Sequence, residues 1–329
     1  MSTAPLVSFV VPCYNYARYL GECLKSIFGQ EGGHDFEIVA VDDGSTDGTR
    51  QVLHSFADPR LRVITHQRNL GHAATINEGL NYARGLLIAR IDPDDRYKPA
   101  FLSMAIEKFR AFPEIGLVYG NVALIDAEGK VTLEAADRAH GGKDFKGNEF
   151  LRLLEKNFIC SASVIARREA WQQVPPVPQR LAFHDWYFTL MMARRFEFYY
   201  VDRVIADYRV HEANYHAKIA REKREEASIF WLLSQIYRER ETNPDLERAK
   251  QRIKKRVWAS HYVDIGEKYF GFEMYRDARR CYLTIVCYQP GLLVRSDLLR
   301  HVCATLIGQK LYEGIKRVVR SIFRGNGAT

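Results

Sequence analysis

The sequence predicts an α/β fold, a mixed and mainly parallel sheet flanked by helices, followed by an all-helical C-terminal region. In the first 215 residues, short apolar runs rich in β-branched residues alternate with segments of helical periodicity. This alternation is typical of parallel strands joined by crossover helices. From about residue 217 onward, the apolar residues recur only at helical spacing. We therefore predict two domains, residues 1–215 and residues 216–329.

The composition is that of an ordinary soluble protein, with 47% hydrophobic and 27% charged residues. No stretch reaches the roughly 18 uncharged apolar residues of a membrane span, and the N-terminus lacks the basic region of a secretory signal. The six cysteines are scattered without a C-x-x-C pair, which argues against a disulfide framework and a zinc site. We expect a cytoplasmic protein.

The net charge of +8 is unevenly distributed along the chain. The excess of Lys and Arg lies in the last third, whereas the first two thirds are close to neutral. A basic region can face nucleic acid, an anionic membrane surface or only water. Because no nucleic-acid-binding module is recognisable, we predict no specific nucleic-acid partner.

The first strand is predicted at Val7–Val11, where Pro12 ends it because proline cannot donate a hydrogen bond to a sheet. A polar loop through Tyr14 and Asn15 leads to a helix from about Ala17 to Gly29.

Two further strand, loop and helix units follow. Residues 36–41 form the second strand, and the polar loop 42–48 leads from it into a helix. Residues 62–65 form the third strand, and the segment 69–85, rich in small residues, forms a helix that stops at Gly85. Consecutive units of this kind build a parallel sheet.

An acidic segment, Asp92-x-Asp94-Asp95, follows the apolar run 86–91. Three carboxylates in four residues raise one another's pKa, so we expect a positive group among them. Such oxygen-rich sites suit Mg²⁺ or Mn²⁺, although a solvated acidic turn is the alternative for this motif alone. Since ligands bind beyond the carboxyl ends of parallel strands, the loops with Tyr14, Asp43 and Asp94 predict one site.

The rest of the first domain contains less regular elements. We predict one or two strands over residues 115–125 and a mobile polar loop over 135–147. Asp185 precedes an aromatic and apolar run, which predicts the start of a helix, where a carboxylate is favoured.

Four motifs stand in order along the chain: Pro12-x-Tyr14-Asn15, the run Val41–Thr49, Asn69-x-Gly71 with Asn77-x-Gly79, and Asp92-x-Asp94-Asp95. Together they resemble the motifs of the family 2 glycosyltransferases, which are inverting enzymes of the GT-A fold. The resemblance covers roughly the first 215 residues, and we therefore expect a GT-A type sheet, in which residues 157–165 resemble the family's strand before the acceptor site.

The resemblance implies a nucleotide-sugar donor site. Asp43 would accept a hydrogen bond from the base imide, which favours UDP or dTDP over a purine nucleotide. Arg68 would contact the diphosphate, or is only a surface arginine before a turn. The donor-binding set is then Pro12, Tyr14, Asn15, Asp43, Arg68 and Asp94.

A divalent cation on the donor diphosphate is the implied cofactor. Asp95 would hold it, Asp94 would contact the ribose or the metal, and His211 is the candidate third ligand. Imidazole suits Mn²⁺ better than Mg²⁺. Mn²⁺ is therefore favoured over Mg²⁺ only if His211 binds the metal.

The implied catalytic base is Asp185, which would deprotonate an acceptor hydroxyl. The family often has Glu-Asp here, whereas this chain has His184-Asp185, which puts the role of the first residue in doubt. Trp186 is either a wall for an acceptor sugar or a core residue. The acceptor is a glycan, a lipid-linked glycan or a protein.

The C-terminal third matches the outline of one tetratricopeptide repeat, which predicts a helical hairpin. Residues 306–324 interleave apolar and basic residues, which predicts a basic amphipathic helix. That helix contacts an anionic membrane surface peripherally or docks on its own protein. The positions that match the repeat are Tyr262, Ile265, Gly266, Tyr269, Ala278, Tyr282 and Pro290.

Two other functions compete with sugar transfer. A sugar-phosphate nucleotidyltransferase would need a Gly-rich loop with an arginine after the first strand, where this chain has Pro12-Cys13-Tyr14-Asn15. A non-enzymatic adaptor built on the helical region would have a decayed site, whereas the four acids at 43, 94, 95 and 185 are present.

Overall fold

A computed structural model describes residues 4–136, 139–211, 219, 221–291, 296–307, 311 and 314. The chain divides into two compact units, Met1–Leu153 with Asn157–Asn214, and Leu154–Lys156 with Tyr215–Thr329. In the described part, no helix has the length and apolar character needed to cross a bilayer. The assignment of two folding domains, residues 1–215 and 216–329, stays a prediction.

The described part of the first unit is built on one ten-stranded sheet. Eight strands lie in the order β3-β2-β1-β4-β9-β6-β10-β5, while β7 pairs with β6 and β8 pairs with β10. Strands β3, β2, β1 and β4 are parallel, β6 and β10 are parallel, and β9 runs antiparallel between β4 and β6. The strands are β1 (Val7–Cys13), β2 (Phe36–Asp42), β3 (Leu61–Thr65), β4 (Leu87–Arg90), β5 (Arg96–Tyr97), β6 (Ile115–Ile125), β7 (Val131–Leu133), β8 (Phe145–Gly147), β9 (Ile165–Arg167) and β10 (Glu197–Arg209).

Helices connect and cover these strands, so the predicted mixed, mainly parallel sheet with flanking helices is confirmed. The core lies between the sheet and the apolar faces of the helices, for example Leu20, Leu24 and Ile27 of the first helix. The helices of this part are α1 (Ala17–Phe28), α2 (Thr49–Ser55), α3 (His72–Tyr82), α4 (Phe101–Ala111), α5 (Phe150–Glu155), α6 (Arg168–Gln172) and α7 (Asp185–Ala193).

Pro12 does not end the first strand, contrary to the prediction, because β1 continues to Cys13. The Val10 carbonyl accepts a hydrogen bond from Ile91 on the β4 side, and Pro12, two residues on, faces the same way. Pairing with β4 stops at Val10 and Arg90, so no partner requires the missing N–H of Pro12.

Three other local predictions were wrong in detail. The helix before β4 ends at Tyr82 and not at Gly85. A glycine is required at position 85 for a different reason, because a Cβ there would lie 2.4 Å from the Ser8 nitrogen. Residues 157–164 are not in a strand, since a 3₁₀ turn at Ser161–Ser163 precedes the short β9, which begins at Ile165. The described part of loop 135–147 contains a 3₁₀ turn and β8, which pairs with β10.

The second unit is helical, as predicted. Its longest helix packs against the next one as a hairpin, where Gly266 faces the Tyr282 ring at a distance that leaves no room for a Cβ. The predicted amphipathic helix over residues 306–324 lies almost entirely outside the described residues. The helices are α8 (Arg224–Arg238), α9 (Pro244–Gly271), α10 (Tyr275–Tyr288) and α11 (Ser296–Ile307).

Candidate active site

The loops after β1 and β2 are joined by Asn15. Its backbone N–H donates to Ser45 Oγ at 3.0 Å, and its side-chain Oδ1 accepts from the Thr46 N–H at 2.8 Å. Asn15 adopts a left-handed conformation with φ of 60°, which asparagine tolerates better than most residues. Its amide therefore fixes the loop geometry, while the neighbouring Tyr14 side chain is exposed.

Asp43 lies just beyond β2 and is almost fully buried. Its Oδ1 accepts from the Leu70 N–H at 2.8 Å, and its Oδ2 accepts from the Gly71 N–H at 2.9 Å. These bonds tie the end of β2 to the loop before α3. A carboxylate oxygen can accept two hydrogen bonds, so Oδ2 retains an acceptor position.

His66, which the sequence analysis did not single out, lies between two carboxylates at the end of β3. Its Nδ1 is 2.6 Å from Asp43 Oδ1, and its Nε2 is 2.5 Å from Glu78 Oε2. Burial lowers the pKa of His66, but the hydrogen bonds to Asp43 and Glu78 outweigh this effect and raise it. The ring is therefore held between the two carboxylates and in turn keeps Asp43 in place.

The acidic turn after β4 contains a buried carboxyl group with one oxygen that is unpartnered in the described part of the chain. Asp95 is 1% exposed, and its Oδ1 accepts from the Arg209 N–H at 2.9 Å. Among the described residues, Asp95 Oδ2 is buried without a hydrogen-bond partner. Burial, together with repulsion by Asp94 and Asp92, raises the pKa of Asp95 well above its ordinary value.

His211 lies beside this turn, where its Nε2 is 3.2 Å from Asp94 Oδ2. Burial and the charge of Asp92 raise the pKa of Asp94, and the His211 contact partly offsets them. No three His, Cys, Asp or Glu side chains of the described residues form a complete metal-binding group. A cation that takes its remaining ligands from a substrate nevertheless fits Asp95, whose orphaned oxygen needs a positive partner.

The predicted positive group is Arg90, at the end of β4. Its guanidinium donates to Asp92 Oδ1 at 2.8 Å and also to Asp185 Oδ1. Burial raises the pKa of Asp92, but Arg90 and then His72 outweigh it, so the pKa is lowered. Arg90 thus joins the acidic turn to Asp185.

Asp185 is the first residue of α7, as predicted, and the side chain of His184 before it forms no capping hydrogen bond. His184, the N-cap residue, has its Nδ1 3.1 Å from His72 Nδ1, and its buried Nε2 has no partner in the described part of the chain. Burial, with the charges of His72 and Arg90, lowers the pKa of His184 to about 3. His184 is therefore neutral beside Asp185.

Trp186, Arg68 and Pro12 lie in different environments. Trp186 is 2% exposed, and its indole N–H donates to the Leu153 carbonyl at 2.7 Å, so it occupies a core position. Arg68 is exposed, and its backbone packs against Gly44. Pro12 is buried within β1.

A family model described as Glycosyl transferase family 2 matches residues 8–174. The chain is 30% identical over 226 residues to an uncharacterized glycosyltransferase of Nostoc sp., covering 65% of this chain and 67% of that protein. It is 28% identical over 266 residues to TuaG of Bacillus subtilis, provisionally named a teichuronic acid biosynthesis glycosyltransferase, covering 77% of this chain and 98% of TuaG.

Two solved structures share the fold. S. aureus TarS 1-349 in complex with UDP-GlcNAc gives a TM-score of 0.54 at 17% identity, covering 94% of this chain and 91% of that one. The mannosyltransferase PcManGT from Pyrobaculum calidifontis, in complex with GDP-Man and Mn²⁺, gives a TM-score of 0.60 at 16% identity, covering 96% and 88%. The likeness shows the fold alone, and the predicted GT-A type is confirmed.

Proposed function

Because the chain belongs to glycosyl transferase family 2 and is a glycosyltransferase, we propose that it transfers a sugar with inversion from a nucleoside diphosphate donor to an acceptor hydroxyl. The observation that carries this proposal is the convergence at one sheet edge of the acidic turn and Asp185, joined by Arg90. The acidic turn would bind the cation that contacts the leaving group, and Asp185 would activate the nucleophile.

A divalent cation, Mn²⁺ or Mg²⁺, would be held by Asp95 and Asp94, with His211 as a further ligand. The buried, unpartnered Oδ2 of Asp95 supports this assignment. When bound, the cation neutralises charge that develops on the diphosphate leaving group. Mg²⁺ is usually held by one or two carboxylates and substrate phosphates, which agrees with the two carboxylates, Asp94 and Asp95, that the described residues bring together here.

The donor base would dock against Asp43, with Tyr14, Pro12, Asn15 and Arg68 completing the proposed donor set. Asp43 lies beside the His66 ring, and its Oδ2 retains an acceptor position. An acceptor there suits the imide N–H of uracil or thymine, so UDP or dTDP sugars are the favoured donors. TarS in complex with UDP-GlcNAc supports this choice, whereas PcManGT holds GDP-Man.

Asp185 would act as the general base. Its side chain is 32% exposed, so an acceptor hydroxyl can reach it. The carboxylate takes the hydroxyl proton as the acceptor oxygen attacks the anomeric carbon, and the nucleoside diphosphate leaves from the opposite side. His184, neutral and partly unpartnered, is the proposed neighbouring acceptor contact, whereas the buried Trp186 supports α7 from the core.

The acceptor class and the location are proposals from the relatives and the charge pattern. TuaG is named for teichuronic acid biosynthesis, which supports polysaccharide biosynthesis with a glycan or lipid-linked acceptor; a protein acceptor is the other proposed class. The basic last third supports peripheral contact with the cytoplasmic face of a membrane.

Calorimetric titration tests the donor site. UDP, dTDP and GDP are titrated with Mn²⁺ and with a chelator into the wild-type chain and into Asp95→Asn, which preserves the shape of the side chain. We expect metal-dependent binding of UDP or dTDP that Asp95→Asn abolishes. If no nucleotide binds, the adaptor function replaces this proposal, and binding of a sugar phosphate with a nucleoside triphosphate indicates a nucleotidyltransferase.

A further inference from the structure

Arg90 is a buried arginine whose guanidinium is shared between two separate elements. Its side chain is 4% exposed at the end of β4. One nitrogen donates to Asp92 Oδ1 at 2.8 Å, and the other donates to Asp185 Oδ1 and, at 3.4 Å, to Asp92 Oδ2. The planar fork of arginine suits such divided contacts, whereas a lysine ammonium has no equivalent geometry.

Stability alone gives a weak reason for this arrangement. Removing a guanidinium from water is costly, and a buried ion pair often contributes little net stability. The two carboxylates outweigh the effect of burial and raise the pKa of Arg90, so it stays charged. One of these carboxylates, Asp185, remains partly exposed at the site.

The contact divides the two oxygens of Asp185. Oδ1 is held by Arg90, whereas Oδ2 has no hydrogen bond to any residue in the described ranges. The first turn of α7 holds the Asp185 backbone, and Arg90 restrains its side-chain torsions. A base needs one oxygen within hydrogen-bond reach of the proton that it removes.

We propose that Arg90 is the positioning residue of the catalytic base: it holds Asp185 Oδ1 so that Oδ2 takes the proton of the acceptor hydroxyl. The inference rests on the proposed function, because it assumes that Asp185 is the base. A misplacement of about 1 Å costs roughly 100-fold in rate, so loss of Arg90 lowers kcat by about that factor without a matching change in donor binding.

The surroundings of Arg90 provide a chemical test. A cavity of about 20 Å³ lies beside the pair, lined by Arg90, Asp185, Ser161, Trp171 and Phe188 among others. The substitution Arg90→Ala enlarges this cavity by the volume of the lost side chain. Free guanidinium ion can then occupy the space and restore the contact with Asp185.

The assay measures nucleoside diphosphate release with water as the acceptor. UDP-glucose, UDP-GlcNAc, dTDP-glucose and GDP-mannose are compared with wild-type chain and Mn²⁺, and the best donor is kept. Arg90→Ala, Arg90→Lys, Asp185→Asn and the Arg90→Ala/Asp185→Asn double variant are then measured. Arg84→Ala is the matched control, because Arg84 pairs with the buried Glu37 at 2.7 Å in another part of the unit.

We expect Arg90→Ala to lose about 100-fold in kcat with an unchanged UDP dissociation constant, and guanidinium to restore part of the loss. Guanidinium should not help Arg84→Ala or the double variant. In the Asp185→Asn background, Arg90→Ala should cost less than about twofold, because coupled sites are not additive.

The positioning role would be overturned if the kcat losses of Arg90→Ala and Asp185→Asn multiplied in the double variant. It would also be overturned if Arg90→Ala changed only KM. If Arg90→Ala does not fold, Arg90→Lys provides the test, since it keeps the positive charge but lacks the planar guanidinium group. A wild-type kcat in Arg90→Lys contradicts the proposal, and a large loss of kcat supports it. A wild-type chain that turns over none of the donors would contradict the proposed function itself, and this inference with it.

Discussion

His66 Nδ1 lies 2.6 Å from Asp43 Oδ1, while Glu78 Oε2 holds the other ring nitrogen at 2.5 Å. A neutral imidazole donates only one hydrogen bond, so two carboxylate acceptors require the doubly protonated ring. The end of β2, where Asp43 lies, is therefore fixed by a cation from the end of β3 and by a carboxylate from α3. This arrangement links the proposed nucleotide pocket to pH.

The first prediction concerns the pH dependence of stability. The pKa of His66 is raised above its ordinary value of 6.5. His66 therefore contributes its full share of the folding stability below pH 6.5, and this stabilisation is lost as the pH rises through the raised pKa. Across that range the wild-type melting temperature should fall by about 2–4 °C more than that of His66→Gln, which has no charge to lose. Parallel melting curves for the two proteins would contradict the ionised state of His66.

The second prediction concerns nucleotide binding. Asp43→Asn replaces the Oδ2 acceptor with an amide donor, so the imide N–H of the nucleotide base would face another N–H group. We therefore expect UDP affinity to fall by about 10-fold or more. His66→Gln should weaken binding less, because Asp43 keeps its two backbone hydrogen bonds. Calorimetry with UDP and GDP measures both effects, and Asp58→Asn, at an exposed pair with Arg60, is the control. Equal UDP affinity in Asp43→Asn and wild type would show that the uracil base does not bind at Asp43.

The order of elements was predictable because hydrophobic periodicity records which face each segment buries. Helices α1 and α4 bury their apolar residues in this way, whereas strand β6 is a nearly continuous buried apolar run. The strand that the family resemblance implies over residues 157–165 begins only at Ile165, and before it Ser163 Oγ donates to the Cys160 carbonyl at 2.8 Å. Local side-chain bonds of this kind compete with a strand, and the apolar run alone does not reveal them.

The acids of the site were predictable from motifs, but their partners were not. Arg90 stands in an otherwise apolar run, and a charge in a buried strand is a signal that a partner must exist. The identity of that partner required the fold, because Asp185 is 95 residues away along the chain. His66 is less visible still, since one histidine after a strand has many ordinary explanations.

The third prediction tests the close approach at Gly85. A Cβ there would lie 2.4 Å from the Ser8 nitrogen and 2.6 Å from the Val7 carbonyl carbon, both rigid backbone atoms. Gly85→Ala should therefore destabilise the chain by about 1–3 kcal/mol or more in urea unfolding. Gly21 lies within α1, and a Cβ there would be 4.0 Å from its nearest neighbour, Val52 Cγ1, so Gly21→Ala should stabilise the chain by about 0.5–1 kcal/mol. Equal effects of the two substitutions would contradict the packing of β1 against this turn.

The fourth prediction separates stability from function at Asp95. Its buried carboxylate is repelled by Asp94 and Asp92, and Oδ2 has no partner within the described residues. Asp95→Asn removes the charge and keeps an oxygen for the Arg209 N–H, so without metal its melting temperature should exceed that of wild type by about 2–4 °C. Added Mn²⁺ with UDP should stabilise wild type and leave Asp95→Asn unchanged. Glu22→Gln, at a partly exposed pair with Arg209, is the control for loss of a nearby carboxylate. A destabilised Asp95→Asn that still responds to Mn²⁺ would show that this carboxylate supports the fold and that the cation is held by other residues.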